Sequence, residues 1–85
     1  MKFVFVDESW GDYLYWQKSN EKSLKRINDL LKAISREPYT GIGKPELLKH
    51  NYKGFWLRRI DGEHRLIYKV KDDEIYIAKC RFHYD

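Results

Sequence analysis

Residues 55–84 read FWLRRIDGEHRLIYKVKDDEIYIAKCRFHY, and the punctuation within that stretch decides the fold. Three β-favouring runs, Phe55 to Ile60, Arg65 to Val70 and Ile75 to Tyr84, are separated by Asp61-Gly62 and Asp72-Asp73. Asp-Gly between apolar runs is a strong hairpin signal, because both residues tolerate the positive φ angles of a tight turn. The stretch therefore predicts three antiparallel strands. On the last run Lys79, Arg81 and His83 fall on one face and read as solvent-facing. Tyr76, Ala78, Cys80, Phe82 and Tyr84 fall on the other, which reads as core apart from the terminal Tyr. On the middle run Arg65 lies on the face opposite His64, Leu66 and Tyr68. A two-residue turn would set Arg65 across from Arg58, and a three-residue turn with a bulge would set it across from Arg59. Sequence leaves both registers open.

Working back toward the start, Tyr39 to Tyr52 has no periodicity and is punctuated by Gly41, Gly43 and Pro45, so it reads as a loop with a short turn around Pro45 to Lys49. Before it, Leu24, Ile27, Leu30, Leu31 and Ile34 recur at three- and four-residue steps, the mark of an amphipathic helix. Ser19 or Asn20 offers its cap and Pro38 its end. A first helix is expected from Glu8 to Lys18, capped by Asp7, with Trp10, Tyr13, Leu14 and Gln17 on its inner face. Phe3 to Val6 is a short apolar strand. The pattern of strand, antiparallel helix hairpin and three strands predicts an α+β fold with a mainly antiparallel sheet.

The chain has 85 residues, room for one domain spanning 1–85 with one modest core. Aromatics make up 16% of it, too many to hide in so small an interior, so some rings are expected at the surface. Exposed rings beside positive charge suit nucleic acid, since bases stack on rings while Lys and Arg meet phosphates. The formal charge is +4, and the excess is local: Lys44, Lys49, Lys53, Arg58, Arg59 and Arg65 face only Glu46, Asp61 and Glu63 between residues 44 and 65. Cys80 is the single cysteine, which excludes an internal disulfide and a Cys-based zinc site. No apolar run reaches membrane-spanning length or resembles a secretory leader, so a cytoplasmic protein without membrane contact is expected.

Arginines paired across adjacent strands repel each other, and a bound anion would relieve the repulsion. Two Arg with Lys49 and Lys53 can together receive a phosphate, a nearby His can protonate a leaving oxygen, and Glu46 can serve as the matching base. Cleavage of RNA through its own 2′-hydroxyl needs that combination. A lone Glu in a basic loop is more often a surface ion pair, and a terminal His is often incidental. Three scattered His lack metal-ligand spacing, Gly41 and Gly43 precede no phosphate-loop Lys-Ser/Thr, and no Ser-His-Asp grouping can be argued.

Four segments in order, SWGDYLYWQ, GKPELLKHNYKGFWLRRI, EHRLIYKV and IAKCRFHY, closely resemble the Txe/YoeB family of RelE-type toxins over essentially the whole chain. The resemblance implies a RelE-like fold and the toxin half of a toxin-antitoxin system, a metal-independent endoribonuclease that cleaves messenger RNA in the ribosomal A site and needs no cofactor. It implies that Glu46 is the general base on the 2′-hydroxyl and His83 the general acid on the leaving 5′-oxygen. Arg65 would stabilise the phosphorane with help from Arg59, Lys49 would contact the backbone, and Tyr84 would orient substrate. It also favours the register that places Arg59 and Arg65 together.

The same resemblance implies an acidic antitoxin of the YefM/Axe kind, disordered in part when free, that folds over the basic surface. Ribosome and mRNA are the other partners, and a homodimer or a toxin-antitoxin heterotrimer is possible. Two other activities compete: occupying the ribosome without chemistry, and poisoning a different target such as a topoisomerase. The joint presence of Glu46, Arg65 and His83 argues against the latter. Asp85 extends the chain past the Tyr at which relatives commonly stop, and its added negative charge is expected to weaken phosphate binding slightly.

Overall fold

The computed structural model describes residues 1–83, so the expectations resting on Tyr84 and Asp85 lie outside the described residues. Along the chain run β1 (Lys2–Phe5), α1 (Asp7–Ser19), α2 (Glu21–Arg36), β2 (Glu46–Leu47), a single 3-10 turn (His50–Tyr52), β3 (Trp56–Arg59), β4 (Arg65–Lys71) and β5 (Glu74–Lys79). The strands form one sheet in the order β1-β5-β4-β3-β2. β2 to β5 are an antiparallel meander, and β1 closes the far edge parallel to β5. The helix hairpin carries the chain across one face, from β1 at one edge to β2 at the other. This is the expected α+β architecture, with one strand more than the four read from sequence.

That strand is Glu46–Leu47, expected within a loop. Two residues carry no readable alternation, but Glu46 pairs with Leu57 and Leu47 with Trp56 along the β3 edge. The loop before it is organised by Arg58, which is wholly buried. Its guanidinium donates to the carbonyls of Ile42 (3.0 Å), Glu37 (2.8 Å) and Thr40 (2.8 Å), and its Nε donates to the Tyr68 hydroxyl (3.1 Å). Gly43 closes the loop at φ +84°, where a Cβ would meet the Leu30 side chain at 2.8 Å and Arg58 Cβ at 3.0 Å. Its carbonyl accepts the Arg59 N–H at 2.7 Å, tying the loop to β3 just ahead of Glu46.

α2 starts where the sequence places it. Asn20 Oδ1 accepts the N–H groups of Lys22 (3.1 Å) and Ser23 (3.2 Å), satisfying two otherwise orphaned donors. Ile27, Leu30, Leu31 and Ile34 are buried against the sheet, each contributing roughly 1.5–3 kcal/mol.

α1 departs from the expected face. It begins at Asp7, with Val6 before it and the Ser9 hydroxyl accepting the Val6 N–H at 3.0 Å. Its buried residues are Ser9 and Trp16, and Tyr13 is partly buried against the core as expected, while Trp10 is 48% exposed, Leu14 is 38% exposed and Gln17 is exposed. Polar Ser9 and the indole N–H are drawn inward because each finds a carbonyl on or just past the last strand: Ser9 donates to Ile77 (2.6 Å) and Trp16 Nε1 to Cys80 (2.7 Å). Trp10 instead stacks on Tyr13 at 5.8 Å, with Phe5 edge-on at 5.6 Å.

The last strand also differs. It stops at Lys79 rather than Tyr84, because α1 takes over the backbone of the next residue: Asp12 Oδ2 accepts the Cys80 N–H (3.1 Å) and Trp16 caps its carbonyl. Within it Tyr68 pairs with Ile77 but Ile67 with Lys79, so Ala78 is an extra residue that reverses the alternation. Ile75, Ile77 and Cys80 therefore face the helices, and Ala78 packs with Leu48, Leu57 and Ile67 on the other face. Phe82, assigned to the core from alternation, is 54% exposed. Lys79 and Arg81 are partly buried rather than free. Arg81 lies 3.4 Å from the Tyr15 ring centroid, and Lys79 reaches Glu8 at 3.8 Å.

Candidate active site

The turn between β3 and β4 fixes the register that sequence left open. Asp61 accepts the N–H groups of Glu63 (2.8 Å) and His64 (2.7 Å), and Ile60 donates to the His64 carbonyl (3.0 Å). Asp61, Gly62 and Glu63 thus form a three-residue turn, and Arg65 stands opposite Arg59. Burial pulls the Asp61 carboxyl upward, but the two N–H groups, with His64 and Arg65 nearby, outweigh it and hold the carboxyl below its ordinary 3.8.

Glu46 pairs with Leu57, so the two side chains share a face, and Arg59, two residues along β3, shares it too. This is the face turned away from the helices. Arg65 joins it from β4, its guanidinium held by the carbonyls of Asp61 (2.8 Å) and His64 (3.0 Å). Lys49 is exposed at the rim, immediately before the 3-10 turn. Tyr52 and Phe55 line the same side of the sheet, with Lys69 5.4 Å from the Phe55 ring centre and Lys79 5.9 Å from that of Tyr52. Cations and rings alternate over this surface.

The segment before His83 is set by contacts other than strand alternation. The Phe82 carbonyl accepts the Arg65 N–H at 3.0 Å, and the Phe82 N–H donates to His64 Nδ1 at 2.7 Å. Both bonds hold Phe82 at φ +66°, the left-handed region, at a cost of order 1–3 kcal/mol for a bulky residue. The chain turns there and His83 follows, exposed, directly after the residue bonded to Arg65. On the opposite side Asp12 and Trp16 hold Cys80. Burial pushes the Asp12 carboxyl above its usual range, against the pull of the Cys80 N–H.

Glu46, Arg59 and Arg65 are thus brought to one face, with Lys49 at its rim and the residue before His83 bonded to Arg65. Among the described residues no group of three or more His, Cys, Asp or Glu converges as a metal site. His64, Trp16 and Asp12, which hold the segment leading to His83, were not singled out from sequence. The available signal was strand alternation, which sent His64 to the helix face, away from Arg65.

A helix hairpin on one face of this sheet and a carboxylate with paired arginines on the other mark the chain as a small toxin domain of the RelE-like fold. It belongs to the family of YoeB-like toxins of bacterial type II toxin-antitoxin systems, whose model matches residues 5–84. Toxin YoeB of Escherichia coli K12 is 56% identical over 84 residues, covering 99% of this chain and all of that protein. A YoeB/ParE toxin from Agrobacterium tumefaciens superposes with a TM-score of 0.96 at 43% identity, covering 99% of this chain and 100% of the other. A heterotetrameric YoeB-YefM toxin-antitoxin complex from Staphylococcus aureus contains a chain that matches with a TM-score of 0.92 at 47% identity, covering 99% and 98%.

Proposed function

We propose that the chain is an endoribonuclease that cleaves messenger RNA in the ribosomal A site and so halts translation. One observation carries the reading: Arg59 and Arg65 stand side by side on the face that also carries Glu46, and the residue bonded to Arg65 leads directly to His83. Glu46 removes the proton of the 2′-hydroxyl, whose oxygen attacks the adjacent phosphorus. The two guanidiniums stabilise the added negative charge. His83 gives a proton to the departing 5′-oxygen, leaving a 2′,3′-cyclic phosphate and a free 5′-hydroxyl. Lys49 contacts the RNA backbone and Tyr84 orients the substrate. The scheme assigns each role to a side chain and routes no step through a metal or cofactor.

The proposed partners are the ribosome with its message and an acidic antitoxin. The YoeB-YefM complex of Staphylococcus aureus supports an antitoxin of that kind, and a YoeB dimer from the same organism supports a second copy of this chain as a further partner. No helix among the described residues is long and apolar enough to cross a membrane. Mapping the 5′ ends of a ribosome-bound message tests the activity. New ends within the A-site codon, absent with His83→Gln, are expected. Blocked translation on an uncut message would replace cleavage with simple occupancy.

A further inference from the structure

We infer that His64 is a positioning residue for His83: its imidazole Nδ1 accepts the Phe82 N–H and so holds the left-handed turn that delivers His83 beside Arg65. The inference rests on the proposed role of His83 as general acid. Phe82 is the hinge of the segment, and its peptide groups are gripped on both sides, the N–H by His64 and the carbonyl by the Arg65 N–H. Only the first grip comes from a side chain. The ring is seated for it: Trp16 meets it edge-on at 4.8 Å, the Phe82 ring lies 5.9 Å away, and its side chain is 13% exposed.

An imidazole accepts at Nδ1 only when its proton is on Nε2, so the clamp requires neutral His64. Protonation would put N–H against N–H at 2.7 Å and remove the bond. Charged groups surround the ring. Glu63 lies 3.6 Å from Nε2, and Asp61 accepts the His64 N–H. Arg65 donates to the His64 carbonyl, and Arg81 lies 4.4 Å from the Phe82 ring. From α1 come the apolar edge of Trp16 and, on the neighbouring Cys80 N–H, Asp12. The hold on Phe82 is therefore lost whenever the ring carries a proton on Nδ1, whatever the state of His83.

The experiment compares wild type with His64→Asn, which keeps an acceptor oxygen near the Nδ1 position but does not titrate, and with His64→Leu, which keeps bulk without an acceptor. Amide NMR of the full chain should show the Phe82 N–H moving with the titration of His64 in wild type and staying fixed over that range in His64→Asn. In ribosome-dependent cleavage His64→Leu should lose about 10²-fold in kcat with KM little changed, as expected of a misplaced acid. His64→Asn should keep most of the rate and lose the component of the acid limb that belongs to His64. A Phe82 amide indifferent to His64 overturns the inference. So does a His64→Leu that cleaves like wild type, or a His64→Asn as impaired as His64→Leu. Should wild type cleave nothing, the activity is refuted, and the Phe82 amide then decides the clamp alone.

Discussion

Arg59 and Arg65 stand directly opposite each other on β3 and β4, and among the described residues neither guanidinium meets a carboxylate. Like charges so placed weaken a sheet, and the Asp61 and His64 carbonyls offset this only for Arg65. The pair therefore costs stability in the free protein and gains when an anion arrives. Replacing Arg65 with Gln should accordingly separate the two properties. Cleavage should fall by about 10²–10³ in kcat, the loss typical of one removed transition-state donor. Thermal stability should match or exceed wild type. Single-turnover cleavage and thermal melting on one preparation check both, and a variant both slow and clearly less stable would count against an anion-binding role.

The buried Arg58 gives the contrasting case. It holds three loop carbonyls and the Tyr68 hydroxyl, and Tyr68 in turn donates to the Pro38 carbonyl at 2.6 Å. Arg58→Met leaves the buried Tyr68 hydroxyl and three partly buried loop carbonyls without that donor, and a buried group so orphaned costs about 1–3 kcal/mol. Burial also pushes the Tyr68 hydroxyl above its ordinary pKa, although Arg58 pulls it down, so it stays a neutral donor at physiological pH. Arg58→Met should lose roughly 3 kcal/mol or more of unfolding free energy in urea. A loss below about 1 kcal/mol would mean that water replaces the guanidinium freely.

How far this structure was legible in the sequence follows from which residues obey a period. α2 repeats its apolar residues from Leu24 to Ile34 and is readable along its length, with Asn20 one of the two caps the sequence offers. α1 was readable only in part, because the carbonyls of Ile77 and Cys80 pull Ser9 and Trp16 inward, and those partners are more than sixty residues away. On β5 one extra residue at Ala78 shifts the alternation, so Lys79 and Arg81 are partly buried while Cys80 is buried and His83 exposed as the sequence suggests, and a bulge leaves no mark in a strand of mixed residues. Residue type and strand pairing offered Glu46 and the arginines as a phosphate-handling set, and the motifs around them singled out His83 and favoured Arg59 with Arg65. Alternation grouped no more than Lys79, Arg81 and His83, and two of those three are partly buried.

The turn that sets the arginine pair should be sensitive to acid. Asp61 has a folded-state pKa below its ordinary 3.8, so it contributes stability that is present above that value and lost as pH falls through the lower folded value. Asp61→Asn keeps an acceptor for the Glu63 and His64 N–H groups but carries no charge. Its melting temperature should fall less steeply than that of wild type as pH drops from about 5 to below the ordinary carboxyl value. Parallel curves over that window would show that Asp61 does not couple the turn to pH.

Cys80 offers a test of how firmly α1 holds the base of the His83 segment. The thiol is fully buried, its sulfur lies 3.6 Å from the Ser9 carbonyl, and burial first, then the Asp12 charge, pushes its pKa up to about 12. Almost no thiolate exists at pH 8, so alkylation of the folded chain should run more than about 10²-fold slower than that of the denatured chain. Asp12→Asn removes the nearby charge but keeps an oxygen for the Cys80 N–H. Asp12→Leu removes both and frees the backbone at the point where β5 ends. Labelling should therefore stay slow in Asp12→Asn and rise in Asp12→Leu, where local opening exposes the sulfur. Equal labelling of all three would mean that Trp16 and the core hold Cys80 without help from Asp12, and that the carboxylate has no part in anchoring the segment.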